Sequence, residues 1–492
     1  SPTSTATVEL CEGPGPEVSS LSATPRADLV HAVDLDVELD AEAAIAARCT
    51  RADDPSEILV YTAPAAARHE LALHGLAAST RYTCELVATC PASSAPVSFE
   101  FTTLAGPPGL PEVQVSTPSA VGTTGPPYLL VGHDRHCVGD TPRMLVYDLD
   151  GERRWYYDDL PDIDIAFETQ YLGGGEFSFG GGFYDGAPPQ QLDLDHELTY
   201  QVGSPNAQSH LFHHDGKRLP DGRWLVMMIE GVSAGPQSWD GFSVGLVDPA
   251  TDTDTYFYDS QSAVDAGDLP PGYGDPWHAN WADYQVDPVN GDRLYVSLCS
   301  LGEIIAIDAA SAQVAWRFGA GGDFDLTYPN GAAPPADVAW PQCQHGLEFV
   351  PFAGGGGGNL LVYDNGAHGR GYSRLVEYEL DETTMQATLL WTYTEPRWME
   401  PSWGDIDALP GGHVSATMGH ACWSPYESDV SSVVEVEPST GEVAWRLDFA
   451  DPTDAIYRSE RVDACDVFPI VDRCPVAAAN LEVLLPLFGP RG

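Results

Sequence analysis

Apolar and polar residues alternate with a period of two along most of this chain, and the 3.6-residue rhythm of an amphipathic helix is scarce. V-D-L-D-V-E-L (33–39), E-I-L-V-Y-T (57–62) and Y-T-C-E-L-V-A-T (82–89) are short runs of this kind separated by turn residues, so residues 1–104 predict a small β-sandwich. Pro- and Gly-rich residues 105–127 break the rhythm and are expected to form a linker. From residue 128 a larger unit repeats. L-V-Y-D-L-D-G-E-R-R-W-Y-Y (145–157), I-A-I-D-A-A-S-A-Q-V-A-W-R-F (305–318), V-E-Y-E-L-D-E-T-T-M-Q-A-T-L-L-W-T-Y (376–393) and V-E-V-E-P-S-T-G-E-V-A-W-R-L (434–447) share one hairpin: a strand, a polar turn, and a strand carrying tryptophan. A second turn recurs as L-G-G-G (172–175), L-P-D-G (219–222) and L-P-G-G (409–412). Six such units fit residues 128–492, and strands repeating every 40–65 residues with so little helix predict a six-bladed β-propeller. Y-R-S-E-R-V (457–462) is expected to add a strand to the first blade and close the ring. The fold class is therefore all-β.

Equivalent positions of such a ring face one axis, which gives the histidines meaning. His214 opens H-D-G-K-R-L-P-D-G, His278 opens H-A-N-W-A-D-Y-Q-V and His345 opens H-G-L-E-F-V-P-F, each before a strand–turn–strand pattern and about 65 residues from the next. The turns align Phe167, His214, His345 and Gly404 in one column, with His278 in a variant unit whose inner strand is longer. Imidazoles far apart in sequence are then expected to meet in one pocket. His133, His136, His413 and His420 fall off the column and read as surface or loop residues. Trp277, Trp281, Trp340 and Trp403 flank the pocket motifs, where they can stack on an aryl ring or pack between blades; Trp316, Trp391 and Trp445 end outer hairpins and read as packing. The D-L-D-G segment 148–151 lacks the later glutamate of a calcium loop and reads as a hairpin turn. The glycine run 354–358 follows a strand and opens no helix, so it is a loop rather than a phosphate cradle. Residues 319–341, rich in Gly, Pro and Ala, are expected to cover one mouth of the channel.

Charge narrows the partners. Lys+Arg 22 against Asp+Glu 73 leaves 22 − 73 = −51, with Lys217 the one lysine, a field that repels nucleic acid and anionic membranes. No apolar run reaches the ~18 residues of a membrane span. The ten cysteines divide into Cys11, Cys49, Cys84 and Cys90 and six from Cys137 to Cys474; even counts without a C-x-x-C pair favour disulfides over a zinc ribbon. The start at Ser1, with no signal-like apolar stretch, fits a processed form whose leader is gone, so a secreted or periplasmic location is expected. Oligomeric state is not encoded in any feature of the chain.

Two resemblances sharpen this reading. L-A-A-S-T-R-Y (76–82) followed by F-E-F-T-T (99–103) resembles the end of a fibronectin type III (immunoglobulin-like) domain, which implies scaffolding. Five matches spread across the propeller resemble the bacterial arylsulfate sulfotransferases: the H-D…L-P-D-G unit, the H-x-N unit, Q-H ahead of a strand, D-N-G…Y-S-R-L-V-E-Y (364–378), and the terminal Y-R-S-E-R-V. The resemblance implies transfer of a sulfuryl group from an aryl sulfate to a phenol, without a nucleotide donor or other cofactor, through a sulfated histidine. It implies His345 as nucleophile, with His214, His278 and Asn280 binding sulfuryl oxygens and handling the phenolic proton. Neutral imidazole suits the role, because it is nucleophilic near pH 7 and a covalent intermediate splits one hard displacement into two easier ones.

One position departs from the family pattern. Where an arginine follows the H-x-N unit, this chain has V-S-L-C-S (296–300), so Cys299 replaces a cation and a Cys299–Cys343 disulfide beside the pocket is expected. Arg374, Arg370 and Arg461 are candidates to supply the missing charge; Arg374 and Trp281 join Asn280 as expected substrate-binding residues. Two rivals stay open: a metal centre built from the same three histidines, and a non-catalytic binding or assembly protein.

Overall fold

Strands β1 (Val18–Pro25) and β2 (Val33–Arg51) show how alternation becomes structure. Val33, Leu35, Val37 and Leu39 are buried while Asp34, Asp36, Glu38 and Asp40 face solvent, because side chains of a strand point alternately to its two faces. This is a computed structural model, and it describes residues 16–89, 96–135, 141–158, 160, 168–180, 188–203, 211–234, 237–251, 253–272, 274–286, 291–396, 398–419, 430–485 and 487–488. Phe167, His136, His420, Cys11, Cys90, Cys137 and Cys422 lie outside them. β2 pairs with β1 in its first half and with β4 (Arg81–Ala88) in its second, with β3 (Ile58–Leu73) along it and β5 (Val97–Thr102) on β4. The Tyr82 hydroxyl accepts from the Ala77 amide and donates to Glu57, pinning the turn before β4.

The chain then enters β6 (Val113–Ser116) and a series of antiparallel meanders. The first is β7 (Tyr128–Asp134), β8 (Arg143–Asp148) and β9 (Arg153–Tyr157). The second is β10 (Glu168–Gly173), β11 (Glu176–Gly180), β12 (Gln190–Asp193) and β13 (Leu198–Gln201). The third is β14 (Leu211–Arg218), β15 (Trp224–Ala234), β16 (Gln237–Asp248) and β17 (Thr253–Asp259). The fourth is β18 (Ala279–Gln285), β19 (Arg293–Leu298), β20 (Glu303–Asp308) and β21 (Gln313–Phe318). After a short β22 (Asp325–Thr327), the fifth is β23 (Gln344–Pro351), β24 (Gly357–Asp364), β25 (Arg374–Asp381) and β26 (Gln386–Tyr393). The sixth is β27 (Asp405–Ala408), β28 (Val414–Met418), β29 (Ser432–Glu437) and β30 (Glu442–Phe449), with β6 added outside β30. Last, β31 (Ala455–Val462) pairs with β7 and completes the first sheet. The innermost strands β31, β10, β14, β18, β23 and β27 each touch the next, and the circuit returns to β31. The molecule is all-β, with helices confined to short connections and the tail.

Tryptophans lock neighbouring sheets together. Trp155 stacks on Phe177 at 4.3 Å and donates to the Leu194 carbonyl, while Trp445 donates to the Leu149 carbonyl of the first sheet. The D-L-D-G turn is closed by Asp148, whose Oδ1 accepts from the amides of Asp150 and Glu152 and whose Oδ2 pairs with Arg154. Gly151 is needed there: its φ is +82°, and a Cβ would meet Val115 Cγ2 at 2.9 Å. The N-terminal sheet shares a core with the first two meanders, and buried Arg154 bridges Glu57 to Asp148 across the boundary. The tail returns to the same place, where the helix Pro475–Leu484 packs on β3 and Cys465 pairs with Cys474. Residues 319–341 do not form the cover expected at the mouth. β22 pairs in parallel with the outer strand β26, and the carbonyls of Val338 and Trp340 accept from Arg374, because Leu326, Ala339 and Trp340 bury apolar surface against the fourth and fifth sheets.

Candidate functional site

Four of the inner strands, β14, β18, β23 and β31, break register where they carry the candidate residues. The pairing slips between Phe212 and Gly216 in β14, between Ala279 and Trp281 in β18, between Gln344 and Gly346 in β23, and between Ile456 and Ser459 in β31. A bulge frees a residue from the ladder and re-aims its side chain. The residues freed are His213, His214, Asp215, Asn280, His345, Tyr457 and Arg458. His214 and His278 also take left-handed backbone, with φ of +57° and +43°, which is uncommon outside glycine.

The three expected histidines do meet. The His214 and His278 rings lie 5.1 Å apart, His278 and His345 lie 6.2 Å apart, and Tyr457 stands 6.3 Å from His214 and 6.4 Å from His345. Trp403 packs on Tyr457 at 5.7 Å. His214 and His345 are buried, and burial pushes both imidazoles well below their ordinary pKa, helped by neighbouring histidines and the charge on Arg458. Both are therefore neutral at pH 7.

Partners unseen in the sequence fix each ring. His345 Nδ1 lies 3.0 Å from Asn365 Oδ1. The Asn365 amide nitrogen donates to the carbonyls of Glu400 and Trp403, so the oxygen is what faces the imidazole. Nδ1 of His345 must then carry the proton, which leaves the lone pair on Nε2. His278 Nδ1 is 2.6 Å from Asp275 Oδ2, and its backbone amide donates to Asp275 Oδ1. Although burial works the other way, the bond from His278 holds the Asp275 carboxyl below its ordinary range. His213 Nδ1 lies 2.6 Å from His214 Nδ1, and burial lowers His213 to about 3.

Beneath the imidazoles lies a layer centred on Arg458, which pairs with Glu168 and Asp215 and donates to the Asn280 carbonyl. Asn280 itself is fully buried, its amide nitrogen committed to the Gln344 carbonyl. Farther along the axis is a cavity of about 220 Å³ whose wall includes Lys217, Trp281, Asp283, Glu348, Asp405, Asp407 and Glu460. Trp281 belongs to this wall, under Lys217 Nζ at 4.8 Å, rather than to the histidine layer. Burial pushes Glu348 up to about 7 and Glu460 up to about 8.

The arginines expected to replace the missing cation are engaged elsewhere. Arg374 is held by Asp364, the Val338 carbonyl and the Tyr378 hydroxyl; Arg370 by Asp364 and the Tyr372 carbonyl; Arg461 by Glu435 and the carbonyls of Pro126 and Thr124. Arg458, three residues before Arg461, is the cation whose charge reaches His214 and His345, with Lys217 farther along the axis. Cys299 and Cys343 form the expected disulfide, one of three among the described residues, with Cys49–Cys84 and Cys465–Cys474. The one group of three His, Cys or carboxylate residues among the described residues whose donor atoms lie within 4.8 Å is Cys299, Cys343 and His345; the three histidines do not form such a group.

The profile of the arylsulfotransferase (ASST) family matches residues 128–458, more than half of the chain. The chain belongs to the arylsulfotransferase family. The match begins at β7, spans all three histidines, and ends on Arg458, so the family region coincides with the circuit of sheets and excludes the N-terminal sheet. No curated protein matches the chain in sequence. Among solved structures, a luciferin-regenerating enzyme is similar at 14% identity over 69% of this chain and 95% of its own, with a TM-score of 0.35. A putative 6-phosphogluconolactonase from Bacteroides fragilis is similar at 12% identity over 86% and 99%, with a TM-score of 0.36. Regucalcin, a calcium-binding protein from Agrobacterium tumefaciens, is similar at 9% over 68% and 95%, with a TM-score of 0.34. These superpositions are too loose to bear on the arylsulfotransferase chemistry. No helix among the described residues is long and apolar enough to cross a membrane.

Proposed function

We propose that this arylsulfotransferase carries a sulfuryl group from an aryl sulfate to a phenol through a sulfohistidine at His345, at the axis of a six-bladed propeller that follows a fibronectin-like sandwich. The observation that carries the reading is the anchored Asn365 oxygen, which holds the His345 proton on Nδ1 and turns a neutral Nε2 into a nucleophile. Nε2 attacks sulfur, the N–S bond forms as the S–O bond to the aryl group breaks, and the departing aryl oxide takes a proton from an imidazole. His278 is suited to that role, because its Nδ1 is engaged by the Asp275 carboxylate and its Nε2 is left as the atom that gives and takes the proton. In the second half-reaction the same imidazole removes the proton of the acceptor phenol, whose oxygen attacks the sulfohistidine. His214 and the positive field of Arg458 oppose the negative charge gathering on the sulfuryl oxygens in a site with little water. The three disulfides fit an oxidising, extracytoplasmic compartment.

The test is a mass measurement after brief exposure to a chromogenic aryl sulfate without acceptor. A single sulfuryl adduct mapped to His345, and ping-pong kinetics with a phenol, are expected. Undiminished turnover by His345→Ala removes the proposal.

A further inference from the structure

The convergence of Cys299, Cys343 and His345 has a use outside sulfuryl transfer. The two sulfurs and one ring nitrogen of His345 lie within 4.8 Å of one another, and the three residues are 4%, 4% and 1% exposed. While the sulfurs share a bond they offer no thiolate and hold no metal. We infer that reduction of Cys299–Cys343 turns this place into a zinc-class metal site, with two thiolates and the His345 imidazole as ligands. Two thiolates with one imidazole match what a borderline-soft divalent cation prefers, and three protein ligands leave a fourth tetrahedral position for water.

The backbone keeps the site assembled when the sulfur–sulfur bond is cut. Cys299 donates its amide to the His278 carbonyl, and Ser300 donates to Trp277. On the other side, the Gln342 amide donates to Asp364 Oδ1 and its carbonyl accepts from Gly366. Neither cysteine depends on the other for its position, so the sulfurs stay neighbours after reduction. The chemistry balances: a dithiol gives two electrons and two protons, the Sγ–Sγ bond breaks into two thiols, and the dithiol leaves as a cyclic disulfide. Zinc then displaces one proton from each thiol. Occupied by zinc, the site takes the His345 nitrogen out of use, whereas the oxidised chain keeps it free. The metal site does not require that His345 act in sulfuryl transfer, only that its imidazole be unmodified when zinc is added.

The experiment uses the full chain, oxidised or reduced with a dithiol that is desalted away without oxygen, then dialysed against zinc. The oxidised chain is expected to retain essentially no zinc. The reduced chain is expected to hold about one equivalent, tightly enough to survive desalting. Cys343→Ser, treated identically, is expected to lose that equivalent, which discounts thiols from the other disulfides. His345→Ala is expected to bind at least tenfold more weakly. Cobalt in place of zinc is expected to show thiolate-to-metal charge transfer in the reduced parent alone. Equal zinc in reduced parent and reduced Cys343→Ser overturns the inference. So does a reduced parent that takes up no zinc, whether it keeps or loses its near-ultraviolet circular dichroism. Aryl sulfate turnover by the oxidised chain is read separately, so failure of the metal site and failure of the transfer mechanism give different results.

Discussion

Replacing Asn365 with leucine removes an acceptor while keeping roughly the same volume, and its effect follows from the geometry. His345 and Asn365 are 1% and 0% exposed, and the bond between them is 3.0 Å long. Without Oδ1 the Nδ1–H is a buried donor with no partner, at a cost of about 1–3 kcal/mol. The imidazole escapes that cost by moving its proton to Nε2, which is the atom that must attack. At about 1.4 kcal/mol per tenfold, the nucleophilic tautomer falls by a factor of roughly 5–150, so kcat is expected to drop about 10- to 100-fold. The assay is release of a coloured phenol from an aryl sulfate at saturating acceptor, with the pre-steady-state burst reporting the first half-reaction. Because Asn365 also holds two backbone carbonyls, a thermal melt must accompany the kinetics. Asn365→Asp separates the causes: a carboxylate still accepts from Nδ1, keeps the tautomer and makes the ring more basic, so part of the rate returns with its acidic limb moved to higher pH. A leucine variant that melts normally and keeps kcat within about threefold refutes the tautomer argument.

Asp275→Asn keeps an acceptor for His278 but removes the charge; kcat is expected to fall about tenfold or more, most for donors with poor leaving groups, as a steeper dependence of rate on phenol pKa. Arg458→Met leaves Asp215 and Glu168 buried without their cation, and a loss of about 3–5 kcal/mol is expected as a lower urea midpoint. Stability should also track pH. Burial raises Glu348 to about 7 and Glu460 to about 8, so what these groups contribute is intact below about pH 4.5 and lost as pH rises through 7–8. Burial lowers His213 to about 3, so the unfolded chain takes up protons below about pH 6.5 that the fold refuses, and stability falls on that side too. Melting temperatures in Glu460→Gln are expected to decline less than the parent's between about pH 6 and 8; an identical slope counts against the buried-carboxyl account.

The histidine layer was legible because repeats place equivalent residues at equivalent positions: His214 and His345 shared one column, and His278 opened the variant unit between them. Their partners were not. Asp275 stands three residues before His278, and His213 beside His214, so both were visible in principle as local pairs. Asn365 lies in the D-N-G segment already noted, yet nothing in that string says that its oxygen meets His345 twenty residues away. The axial cation was sought at Arg374, Arg370 and Arg461 because a charge alone does not reveal its neighbours; the register slip in β31 is what turns Arg458 inward. The strand within the presumed linker was hidden for a related reason. Val113–Ser116 pairs with Arg446–Phe449, and no local pattern announces a partner so distant in sequence.

β31 has a consequence for how the protein becomes competent. It is the last strand laid down, it zips onto the earliest strand of the circuit, and it brings Tyr457 and Arg458 to the imidazoles. Joining the two ends of the circuit and furnishing the pocket are thus a single event. A chain halted between residues 345 and 455 holds all three histidines yet no finished centre, so chemistry is withheld from incomplete molecules by topology alone.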